Sequence, residues 1–89
     1  MRLIDDIVLT EVAGDYVAVP VGEASQVLKG VVRLNKTGKD IWDGLAAGQS
    51  SQQIADALVR KYDGVNGESA LGYVEEVVAK LRQAGLVVE

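Results

Sequence analysis

Between Gly30 and Trp42 the sequence changes its period. Gly30-Val31-Val32-Arg33-Leu34 is rich in β-branched and apolar residues, as a short strand requires, whereas Ile41, Trp42 and Leu45 recur at helical spacing. Asn35 stands between the two patterns, and its side-chain oxygen suits the free amides of a first helical turn, so it reads as an N-cap. A strand therefore feeds directly into a helix, and the rest of the chain has to be arranged around that joint.

Upstream, Ile7, Leu9 and Glu11 alternate with Val8 and Thr10. Ala13-Gly14-Asp15 supplies turn residues, and Tyr16 to Val21 resumes with Val17, Val19 and Val21 on one face. This is a hairpin signal. Pro20 has no amide to donate, so it belongs near a strand end or with its nitrogen toward solvent. A loop over Gly22 to Gln26 leads to a third strand, about Leu28 to Leu34. Three short strands in succession most simply form an antiparallel meander.

Downstream, the spacing predicts three helices. The first spans Lys36 to Ala47 and stops at Gly48, a residue suited to the left-handed position that ends helices. Ser50 followed by Gln53 is a capping box, and Ile54, Ala57, Leu58 and Tyr62 give the second helix an apolar stripe that ends at Asp63-Gly64. A third helix starts around Glu68 or Ser69, carries Leu71, Val74, Val77, Val78 and Leu81 on one face, and stops at Gly85. Leu86-Val87-Val88 is short and apolar and is expected to pack against the domain. The expected fold class is α+β and winged-helix-like: a three-stranded antiparallel meander followed by three helices. Ile41, Trp42, Leu45, Ile54, Leu58, Val74, Val78 and Leu81 form much of the expected core.

Eighty-nine residues suffice for one domain, 1–89, burying roughly 60 to 65% of the surface of the unfolded chain. With 48% hydrophobic residues and one proline, the composition is that of a folded protein. No apolar run reaches membrane-spanning length, and Asp5-Asp6 interrupts the start too early for a signal peptide. A cytoplasmic location is expected. The net charge of -4, with nine scattered basic residues, opposes a dedicated nucleic-acid binder.

Histidine and cysteine are both absent, which excludes His-based proton transfer, Ser-His-Asp and Cys-His nucleophiles, the usual zinc sites and cysteine-held iron–sulfur clusters. Asp5-Asp6 and Glu75-Glu76 are sequence neighbours, so their carboxylates diverge on a strand or a helix and do not form a catalytic pair. Asp63-Gly64-Val65-Asn66-Gly67 lacks the ligand spacing of a calcium loop and reads as a helix-ending turn. No phosphate-binding glycine motif is present. The expectation is a chain with no catalytic residue, metal or cofactor. Trp42, beside Ile41 and one turn before Leu45, reads as core, and Tyr73 as a ring at the edge of a groove.

What remains is backbone. If the strands pair in order, the third has one neighbour and leaves unpaired amides and carbonyls on its far side. Such an edge captures an extended peptide as an added strand, or it is covered by the third helix or by Val87-Val88.

Several stretches, in order and spacing, resemble the PqqD family. They are Tyr16 to Glu23, then Gly30 to Trp42 with Leu34-Asn35 and Thr37-Gly38, then Ile54 to Leu58 with Tyr62-Asp63, and finally Val74 to Leu86. The resemblance implies a non-catalytic recognition element for ribosomally synthesised, post-translationally modified peptides. Such a protein binds the leader of a precursor peptide and presents it to a modifying enzyme, often a radical S-adenosylmethionine protein. Carried onto this chain, it implies strand addition along Gly30, Val31, Val32, Arg33 and Leu34, with Tyr73, Val77, Lys80, Leu81 and Ala84 as a helical wall. Many relatives have an acidic residue where Tyr73 stands, so this groove is more aromatic. The alternatives are a winged-helix DNA-binding regulator and a subunit that pairs edge strands with itself or with an enzyme. A monomer or a weak edge-strand dimer is expected.

Overall fold

Where Ala13 and Gly14 supply a turn, the chain reverses within those two residues. Both have positive φ, 52° and 88°, and the flanking Val12 and Asp15 lie opposite each other. That geometry matches the right-handed twist of the strands it joins. The computed structural model describes residues 2–22 and 32–88. Its elements in order are β1 (Arg2–Leu3), β2 (Ile7–Val12), β3 (Asp15–Pro20), β4 (Val32–Leu34), α1 (Lys36–Ala46), α2 (Ser51–Lys61), α3 (Gly67–Gln83) and β5 (Val87–Val88). Strands β2, β3 and β4 pair antiparallel in that order, giving the expected meander and, with the three helices behind it, the α+β arrangement. Pro20 is the last residue of β3. The first part of the expected third strand, Leu28 to Val31, and most of the loop before it lie outside the described residues.

Alternation decides which side of the sheet meets the helices. Ile7 and Leu9 of β2, Tyr16 and Ala18 of β3, and Val32 and Leu34 of β4 pack into the core. The Val17 and Val19 face is therefore the outer one, shared with Val8 and Val12, which are 47% and 53% exposed.

Each helix begins on the side chain that caps it. Asn35 accepts from the Gly38 amide at 2.8 Å, and Ser50 and Gln53 exchange both bonds of a capping box. Asn66 accepts from the Ser69 amide at 2.8 Å, so α3 starts at Gly67, slightly earlier than the spacing predicts. At its other end the Leu86 amide reaches the Leu81 carbonyl and the Gly85 amide the Arg82 carbonyl, with Gly85 at φ 84°. This is the paired closure of a Schellman motif.

All eight expected core residues are buried, joined by Ala18, Leu34, Ala55, Ala70, Leu86 and Val87. Helices α1 and α2 approach closely at Gly44, where an added methyl would stand 2.6 Å from Ile54 Cγ1. The sequence did not reveal the small sheet of β1 with β5: Arg2 faces Val88 and Leu3 faces Val87, and the Ile4 amide donates to the Leu86 carbonyl at 2.9 Å. Among the described residues no helix is long and apolar enough to cross a membrane.

Candidate functional site

The hairpin turn sets the direction of every amide in the meander. Because Val12 and Asp15 flank a two-residue turn, they form a hydrogen-bonded pair, and Thr10–Val17 and Val8–Val19 follow it in the ladder. The backbone groups of Tyr16 and Ala18 therefore point away from β2 and toward β4, where their partners are Leu34 and Val32. That leaves the N–H and C=O of Arg33 directed to the open side of β4. Strand β5 does not cover this edge, because it pairs with β1, and among the described residues β3 is the only strand beside β4.

Side chains follow the complementary alternation. Leu34 is buried and Val32 half-buried against the core, while Arg33 stands on the outer face, 3.4 Å from the Asp15 carboxylate in an exposed ion pair. Gly30 and Val31, expected in the same segment, lie outside the described residues.

On α3, Tyr73, Val77, Lys80 and Ala84 form one row at helical spacing, with Tyr73 and Val77 half-buried and Lys80 and Ala84 exposed. Leu81, implied by the resemblance to line the same wall, belongs to a different row. It continues Val74 and Val78 and has no exposed surface, so here it supports the helix from inside. The Tyr73 hydroxyl reaches Asn35 Oδ1 at 3.5 Å, the oxygen that caps α1. Tyr73 thus stands at the end of β4.

Behind Tyr73 opens an apolar cavity of about 440 Å³, lined by Thr37, Leu58, Tyr62, Val65, Ala70 and Tyr73 among others. The sequence reading did not assemble these residues. Their advance signals are the pairing of Leu58 with Tyr62 one turn on, which the helical stripe assigns to packing, and Tyr73 as a ring at the edge of a groove.

Tyr62, one of the lining residues, is held from outside the cavity by polar contacts. Asp40 of α1 accepts from Lys61 at 2.7 Å and from the Tyr62 hydroxyl, tying α1 to the end of α2. Burial of the Asp40 carboxylate pushes its pKa up, but the hydrogen bonds from Lys61 and Tyr62 and the Lys61 charge outweigh that and hold it below the usual value. Lys61 and Tyr62 are both raised, chiefly by their hydrogen bonds to Asp40. A depressed carboxylate stabilises the fold above its unfolded pKa and loses that contribution as pH falls through the folded one. Raised groups contribute below their unfolded pKa and lose it as pH rises through the folded one. The stability advantage of wild type over Asp40→Asn should therefore be flat near neutrality and shrink below about pH 4 and above about pH 10. Thermal melts of both proteins across pH measure it.

Among the described residues no three metal-ligating side chains come together. Two solved structures share the fold. One, "TbiB1 in Complex with the TbiA(beta) Leader Peptide", is 20% identical with a TM-score of 0.77, covering 97% of this chain and 93% of that one. The other, "Lasso peptide synthetase B1 complexed with the leader peptide", is 22% identical with a TM-score of 0.78, covering 99% and 96%. No curated protein matches the chain. The sequence profile of Coenzyme PQQ synthesis protein D (PqqD) matches residues 8–87, nearly the whole length, and on that match the chain belongs to the PqqD family.

Proposed function

We propose that this protein is a non-catalytic adaptor that binds the leader segment of a ribosomally made precursor peptide and presents it to a modifying enzyme. The observation that carries the reading is that the N–H and C=O of Arg33 point away from β3 to an edge of β4 with no strand beside it among the described residues, close to Tyr73 of α3, whose hydroxyl reaches Asn35 just past the strand. An extended leader, lying antiparallel to β4, adds a fourth strand to the meander. Main-chain bonds supply much of the affinity, and apolar leader side chains set the register against Val32, Tyr73 and Val77. Membership of the PqqD family supports this reading, as do two proteins of the same fold that hold leader peptides. With no histidine or cysteine in the chain, the chemistry falls to the partner enzyme, for which a radical S-adenosylmethionine protein is the family's usual choice. The adaptor works in the cytoplasm, where such precursors leave the ribosome.

The competing winged-helix reading places α3 in a DNA groove. There the exposed Glu75 and Glu76 would meet phosphates, with Lys80 and Arg82 as the nearby cations on a chain of net charge -4. Titrating a labelled precursor leader peptide, sought in the neighbouring genes, and a DNA duplex at low salt separates the two. Saturable one-to-one peptide binding is expected. Salt-sensitive duplex binding with no peptide binding would overturn the adaptor.

A further inference from the structure

The meander has a second open edge, and it is treated differently from the first. On β2 the ladder to β3 uses Val8, Thr10 and Val12, so the amides and carbonyls of Ile7, Leu9 and Glu11 point outward. Among the described residues no strand pairs with them. This edge is six residues long, about 20 Å, and carries no lysine, proline or bulge; its one charge against edge-to-edge pairing is Glu11, near the turn. Val8 and Val12 beside it are among the most exposed large apolar residues described.

We propose that this edge pairs two copies of the chain, β2 against β2 in antiparallel register about a twofold axis at Leu9. The sequence of the strand is self-complementary in that register. Leu9 exchanges both bonds with Leu9 of the other copy, Ile7 and Glu11 exchange theirs, and Val8 faces Thr10 across the seam. Five residues of each strand, Ile7 to Glu11, find a partner, with Val12 beyond the paired stretch, and no like charges oppose one another within it. Sliding the register toward the turn would set Glu11 against Glu11, which is disfavoured.

The β4 edge cannot do the same. Its one described outward amide is Arg33, and self-pairing there would set two guanidinium groups opposite each other. The two edges are thus sorted by charge, β2 for a second copy and β4 left open at each end of a six-stranded sheet. The pairing does not depend on what β4 binds. Two six-residue strands bury far less than the roughly 1,200 Å² of a standard interface, so the dimer is weak and depends on concentration.

Sedimentation equilibrium of the full chain up to about 1 mM tests it. The weight-average mass should rise toward twice the monomer value. The double variant Val8→Lys, Thr10→Lys puts two ammonium groups face to face on each side of the axis, and should weaken association by about tenfold or more at low salt. In the double variant Val8→Lys, Thr10→Glu each ammonium faces a carboxylate instead, and association should return. Both positions, Val8 and Thr10, are exposed in the monomer, and circular dichroism checks that the variants fold. A wild type that stays monomeric throughout would overturn the proposal. So would a dimer indifferent to the lysine pair, or one that the lysine–glutamate variant fails to restore. Peptide titration of the same variants separates this outcome from the adaptor reading, since peptide bound by a strict monomer would refute only the dimer.

Discussion

Replacing Trp42 by alanine should lower the melting temperature by about 15 to 30 °C and leave much of the population unfolded near physiological temperature. The indole is 7% exposed and sits in the same cluster as Ile41 and Leu45 of its own helix. Truncating a buried tryptophan costs about 3 to 5 kcal/mol, combining lost transfer energy with the void left behind. Total stability of a chain this size is about 5 to 10 kcal/mol. Little remains after such a loss. Trp42→Phe keeps most of the buried area and should fall well short of that effect. Thermal unfolding followed by circular dichroism decides, and an alanine variant melting within a few degrees of wild type would show that the ring contributes little to the core.

The second large effect concerns recognition. Proline at position 33 removes the amide that faces the open side of β4 and leaves the ladder to β3 intact, because Arg33 does not take part in it. Arg33→Pro should therefore fold and bind a leader peptide at least about tenfold more weakly, the equivalent of one lost backbone bond plus the steric block of the ring. Val32→Pro acts on the other side of the strand: it deletes a donor to β3 and should cost about 1 to 3 kcal/mol of stability. Arg33→Ala separates side chain from backbone. Its ion pair with Asp15 is exposed, so losing it should change affinity by no more than about 1 kcal/mol. Titrations of one labelled leader against the three variants, with folding checked on each, give the comparison. A folded Arg33→Pro protein that binds as tightly as wild type would refute strand addition at this edge.

That experiment could not have been chosen from the sequence. Periodicity shows that Val32 and Leu34 share a face opposite Arg33, and the buried Leu34 agrees with it. Side-chain parity does not say which amides point outward. That is settled by the turn: Ala13-Gly14 joins the strands with two residues, and one residue more or fewer would have exchanged the inward and outward sets. Local signals were read well where they were unambiguous, as at Asn35 and at the Ser50–Gln53 box. Asn66 was missed because a segment with Asp63, Gly64 and Gly67 suits the end of one helix as well as the start of the next. Strands β1 and β5 were out of reach, since two residues carry no period. Leu81 reads as core from its own spacing and as groove wall by resemblance; the structure buries it with Val74, one helical step from the row of Tyr73.

The pairing of β1 with β5 also bears on the order of folding. Arg2 and Val88 meet across 86 positions of chain, whereas the hairpin turns in two residues and each helix is capped within three. Loop-closure entropy grows with that separation, so the local elements form early and lower the cost of bringing distant segments together. The terminal ribbon, with two residues a side, adds little to offset its own closure and has to wait until α3 and the Leu86 turn have docked. It should be the last part of the chain to close and the first to open, exchanging its amide hydrogens well before those of α1 and α3.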